Sequence, residues 1–186
     1  MAFSLEPNNS PNNSPNNSLE LVRVAGVVHD SVVDGPGIRH VIFLQGCEHH
    51  CPGCQNPQTH ALDGGKLVKI NALVAGVAKH HWVDGVTFSG GEPFLQPRAC
   101  VELIERIHKE PSLAHLNFVS YTGFLYEQLL EMGKKNPYIL KFLNYLDLLI
   151  DGPFILAKRD LNLAFRGSTN QRIINLKEAR QQRRAV

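Results

Sequence analysis

Short β-branched runs, each closing on glycine or a polar turn, alternate along this chain with stretches of helical spacing, and that alternation limits the fold more than any other feature. LVRVAGVV (21–28), HVIFLQG (40–46), GVTFSGG (85–91), LNFVSYTG (116–123) and LDLLIDG (146–152) read as strands. Between them Asn71 to Trp82, Pro97 to Lys109 and Leu125 to Lys135 carry helical spacing. Pro97 suits a first helical turn, and Cys100, Leu103, Ile104 and Ile107 share one face, which makes Cys100 a buried structural thiol. Repeated strand–helix units imply an α/β fold with a mainly parallel sheet flanked by helices. Such sheets gather ligands at the carboxyl ends of their strands. The unusual stretches GCEHHCPGC, SGGEP, SYTG and IDGPF all follow expected strands, so they are expected to meet at one rim.

With 186 residues the chain is long enough to bury a core without disulfides or a structural metal. Residues 1–20 contain PNNSPNNSPNNS, which has no apolar side chain to bury and reads as a disordered low-complexity tail. Residues 21–176 form the expected domain, and 177–186, with KEARQQRR, a basic, solvated helix end. A net charge of +2 argues against nucleic acid as a partner. The start lacks a basic segment followed by an apolar run, and no eighteen consecutive apolar residues occur, so a cytoplasmic protein without a membrane partner is expected.

In a reducing compartment, Cys47, Cys51 and Cys54 argue for metal or redox chemistry rather than a disulfide framework. Their C-x3-C-x2-C spacing on a loop with Pro52 and Gly53 can curl three thiolates around one centre. Zinc completed by His49, His50 or His60 is one occupant. An iron–sulfur cube with one iron left open is the other. The histidine pairs at 49/50 and 80/81 otherwise read as surface residues.

The triplet resembles the signature of the radical S-adenosylmethionine superfamily. That resemblance implies a 4Fe-4S cluster on Cys47, Cys51 and Cys54, with the methionine part of S-adenosylmethionine chelating the fourth iron. SGGEP, residues 89–93, is similar to the superfamily's Gly-Gly-Glu element, which makes Gly90, Gly91 and Glu92 contacts to the cofactor's amino group. Gly53 and Gln55 flank the last cluster cysteine, where the cofactor also lies; many members have an aromatic residue at the place of Gly53.

DGPGIRHVIFLQGC, residues 34–47, resembles the opening of glycyl-radical-enzyme activases, which places Asp34, Gly35, Pro36, Gly37 and Arg39 near an incoming partner segment. CPGCQNPQTH, DLLIDGPF and RDLNLAFRGSTNQRIINL are similar to the activating-protein family of anaerobic ribonucleoside-triphosphate reductase, the resemblance covering residues 22–176. It implies an open, partial (β/α) barrel and an activase that reductively cleaves S-adenosylmethionine and leaves a glycyl radical on the reductase. A flavodoxin or ferredoxin-type protein is the implied electron donor. Asp151 would lie near the ribose or amino group of the cofactor, or simply end its strand in an Asp-Gly-Pro turn, and Arg166 would meet the partner or a carboxylate. Activation of another glycyl-radical enzyme such as pyruvate formate-lyase, and a non-catalytic zinc or iron–sulfur module, are the alternatives.

Overall fold

The computed structural model describes residues 20–184, and the PNNS repeat lies outside them. All five expected strands form: β1 (Leu21–Ser31), β2 (Arg39–Leu44), β4 (Gly85–Gly90), β5 (Asn117–Tyr121) and β6 (Leu148–Asp151). Two short ones escape the sequence pattern, β3 (Lys66–Lys69) and β7 (Arg172–Asn175). They join a single sheet of order β3-β1-β2-β4-β5-β6-β7, in which β2, β4, β5 and β6 run parallel. The sheet does not close, because β3 and β7 are its edges. Strand β1 is antiparallel to β2 and β3, and β7 is antiparallel to β6. The short link 32–38 between β1 and β2 explains the first reversal, since a parallel crossover needs a dozen or more residues.

The helices are α1 (Ile70–Lys79), α2 (Pro97–His108), α3 (Tyr126–Gly133), α4 (Pro137–Tyr145) and α5 (Leu176–Arg184). Helix α1 stops short of Trp82 because His80 leaves helical geometry as its C-cap. Helix α4, unforeseen, starts at an Asn-Pro pair that reads as a turn; Asn136 caps it by accepting the Tyr138 amide. Cys100, Leu103, Ile104 and Ile107 are buried, as their spacing requires. None of the described helices is long and apolar enough to cross a membrane.

Alternation along the strands separates two faces. Ile42, Leu44, Val86, Phe88, Phe118 and Leu149 enter one core cluster with the helices, Phe88 meeting Phe142 of α4 edge to face. Ser89 and Tyr121 point to the other face, which forms a cleft. The polar–apolar alternation of GVTFSG therefore records a sheet covered by helices on one side.

Arg39 plugs the lower part of that second face. It is fully buried, and its guanidinium donates to Thr87 Oγ1 at 3.0 Å, Val86 O at 2.9 Å and Asn117 O at 3.2 Å. Burial lowers its pKa to about 10, against the opposing pull of Asp84, so it stays charged near neutrality. The sequence reading put Arg39 against a partner; the structure spends its donors on the protein's own strands instead. Replacing it strands buried acceptors. Arg39→Met is expected to lower stability by about 3 kcal/mol, read as a lower urea midpoint; an unchanged midpoint would remove this bracing role.

Candidate metal centre and cofactor cleft

The carboxyl ends of the parallel strands border a cleft of about 540 Å³, a size that suits a small-molecule ligand. All four stretches expected at one rim contribute: Cys47, Cys51 and Cys54 after β2, Ser89 to Glu92 at β4, Tyr121 to Gly123 at β5, and Gly152 with Phe154 after β6.

The cysteine loop is a closed ring of chain. Gly46 and Cys47 donate backbone bonds to Thr59 O and His60 O at 2.8 and 3.1 Å, so the loop returns to its starting point. The buried Gln45 side chain ties it down further by donating to Ala61 O at 2.7 Å. Within the ring, Cys54 N donates to Cys51 O at 3.0 Å, bringing the last two cysteines onto one turn. All four cysteines are free thiols, and the clustered three are half-buried. Burial pushes the Cys47 thiol up, and the negative charges of Glu92, Cys51 and Cys54 add to the effect. Three thiols lining one cleft supply the soft ligands that a metal centre takes. The Asn56 amide donates to Cys54 Sγ at 3.4 Å, a bond that orients a sulfur ligand.

The Gly-Gly-Glu segment clasps this loop. Gly91 N donates to Leu44 O and Glu92 N to Gly46 O, both at 2.8 Å. A Cβ on Gly91 would lie 2.3 Å from Gly46 O, a backbone atom that cannot swing aside. The glycine is thus needed first for the approach of two chain segments. Glu92, only 1% exposed, accepts from Thr122 Oγ1 at 2.9 and 3.0 Å, Gly123 N at 2.9 Å and Phe94 N at 3.0 Å. Its carboxylate also pairs with His49 Nε2 at 2.8 Å. The expected contact of Glu92 with a cofactor must share a side chain already occupied by the protein.

His49 is a correction to the surface reading of the histidine pairs. It lines the cleft with its edge on Phe124, and it fits because Gly123 has no side chain, whose Cβ would come within 2.4 Å of the ring. Only the later placement of SYTG beside SGGEP reveals this, and no local sequence signal does.

Other expected residues divide. Gln55, Gly90, Asp34 and Arg166 line the cleft. Arg166 donates to Gln171 O at 3.1 Å, while its buried Nε has no partner among the described residues. Gly53 does not line the cleft; it lies outside, against Leu156. Asp151, expected at the cofactor, does not line it either. It shares the face of Leu149 toward the helices, is fully buried, accepts the Tyr126 amide at 2.8 Å and is gripped by Arg172, with Nε at 2.9 Å. Its carboxylate caps α3 and anchors β7. In the 34–37 segment Gly35 is buried, Pro36 and Gly37 are exposed, and Ser31 Oγ donates to Asp34.

Residues 33–174 match the family described as a 4Fe-4S single cluster domain. The anaerobic ribonucleoside-triphosphate reductase-activating protein of Salmonella typhi is 32% identical over 155 residues, spanning 78% of this chain and 94% of that protein. The pyruvate formate-lyase-activating enzyme of Clostridium pasteurianum is 33% identical over 114 residues, spanning 59% of this chain and 48% of that enzyme. The crystal structure of QueE from Escherichia coli aligns with 55% of this chain and 52% of its own at a TM-score of 0.42 and 18% identity.

The clasp yields a direct test. Gly91→Ala should push Gly46, and with it Cys47, out of position and cut the iron retained after anaerobic reconstitution, measured by metal analysis. Gly26→Ala, where an added Cβ meets nothing within 4 Å, should retain the full amount. Equal iron in both variants would contradict the clasp.

Proposed function

The chain belongs to the 4Fe-4S single-cluster family that includes the anaerobic ribonucleoside-triphosphate reductase-activating proteins, and from that premise we propose that it activates such a reductase by generating a glycyl radical on it. The observation that carries this reading is the single rim on which three thiols and the Gly-Gly-Glu backbone meet, joined through Gly46. Length supports the choice of partner. The chain spans nearly all of the reductase activator it matches but about half of the pyruvate formate-lyase activator.

The residues fit the implied cofactors by their donor chemistry. Three thiols on one cleft supply the sulfur ligands of a 4Fe-4S cluster and leave one iron for S-adenosylmethionine. When bound, the pair supplies one-electron cleavage of S-adenosylmethionine to methionine and a 5'-deoxyadenosyl radical, which takes a hydrogen atom from a glycine of the reductase. Cys47, Cys51 and Cys54 hold the cluster in this reading, and the amide of Asn56 steadies Cys54. Gly90 and Gly91 present backbone to the cofactor's amino end, and Gln55 lines the same cleft. Arg166 lines the cleft and offers its guanidinium to a carboxylate, whether the cofactor's or the partner's. Glu92 and His49 are positioning residues that keep the β4 and β5 loops in register.

The rim suits a protein substrate. Val32, Val33 and Leu161 are exposed apolar side chains that also line the cleft, so a partner segment inserted there would cover them and exclude water. Asp34 lies beside them, and the segment through Gly37 continues along the surface. A flavodoxin or ferredoxin-type protein would deliver the electron.

Anaerobic reconstitution with iron and sulfide, followed by reduction and addition of S-adenosylmethionine, should yield 5'-deoxyadenosine. Cys54→Ala should abolish it. No product from a fully iron-loaded protein, with the reductase also present, would overturn the activase reading.

A further inference from the structure

We propose that His29, His40 and His80 bind one divalent transition-metal ion of the zinc class, at the end of the sheet opposite the cysteine cleft. The site is separate from the function proposed above. His29 lies near the end of β1, His40 near the start of β2, and His80 caps the C-terminus of α1. One ring nitrogen from each lies within 4.8 Å of the other two.

The geometry is that of ligands around a shared centre. His29 Nδ1 and His40 Nδ1 stand 3.2 Å apart. Two nitrogens bound tetrahedrally to zinc at about 2.0–2.1 Å would be separated by about 3.3 Å. The His29 and His80 rings stack nearly parallel with centroids 3.9 Å apart, so the exposed His29 ring turns about its side chain to aim its lone pair at an ion shared with His80. His80 Nδ1 donates to Gly76 O at 2.9 Å, the kind of backbone bond that fixes a metal-binding tautomer and leaves Nε2 with a free lone pair.

Packing alone gives no reason for this arrangement. His40 is 1% exposed, and its Nδ1 meets no group but another imidazole nitrogen, an arrangement that an ion between the two nitrogens would satisfy.

The surroundings favour a cation. The C-terminal end of α1 turns its negative dipole end toward His80. Asp30, next to His29 in the chain, adds a carboxylate held by the Trp82 indole at 2.9 Å. His29 is exposed and His80 half-buried, which gives an ion an entry path. Imidazole donors suit zinc, copper or nickel, and three of them leave a fourth position for water or an outside ligand. Bound there, the ion would staple β1, β2 and α1 together.

The test uses the full chain with its iron–sulfur cluster already reconstituted, so that the cysteines are occupied. Equilibrium dialysis against Zn²⁺ with metal analysis should find one zinc per chain beyond the iron. His29→Ala and His80→Ala should each weaken zinc binding about tenfold or more without loss of iron. X-ray absorption at the zinc edge of the unaltered protein should show imidazole nitrogen and no sulfur around the ion. No zinc beyond the iron, sulfur in its shell, or full affinity in the double variant would each overturn the site.

Discussion

The contact between two strand ends, Gly91 and Glu92 of the β4 loop against Leu44 and Gly46 of the β2 loop, is the constraint on which the rest of the site depends. It exists because Gly91 carries no side chain. From it, two consequences spread outward. On one side Gly46 leads directly into Cys47 and the closed ring of residues up to His60, so the thiols inherit the position of the clasp. On the other side Glu92 enters a buried knot with Thr122, Gly123 and His49, which carries the same register to the β5 loop. A buried carboxylate is tolerated there because hydrogen bonds satisfy it. Parallel strands bring these loops to one edge, and the clasp fixes their distances.

Much of this was legible in the sequence, and particular residues explain what was not. The five strands were visible because each combines β-branched residues with a glycine or polar stop. The α2 face was visible because Cys100, Leu103, Ile104 and Ile107 keep helical spacing. β3 and β7, each four residues long and antiparallel at an edge, carry too little pattern to register. Helix α4 was hidden by its own cap, since Asn-Pro signals a turn before it signals a start. At the site, residue types marked the right loops but not the direction of each side chain. Asp151 ends a strand at the rim, yet alternation turns its carboxylate to α3 and Arg172. Arg39, within a motif that resembles a partner-facing loop, is buried because it lies on β2, from which its guanidinium reaches Thr87 and Asn117.

The two ends of the sheet thus divide their work. The carboxyl end gathers thiols, backbone and an apolar rim around one cleft, an arrangement suited to a bound cofactor and an inserted protein segment. The opposite end gathers three imidazoles beside a helix terminus, well away from the chemistry. The chain contributes position, exclusion of water and charge compensation, while the hard bond-breaking falls to the cofactors.

The most direct test of the central claim is electron paramagnetic resonance on the reduced, cluster-loaded protein mixed anaerobically with S-adenosylmethionine and an anaerobic ribonucleoside-triphosphate reductase. The account predicts an organic radical signal on the reductase, split by one α-hydrogen and collapsing when its glycines are deuterated. Accumulation of 5'-deoxyadenosine with no such signal would contradict it.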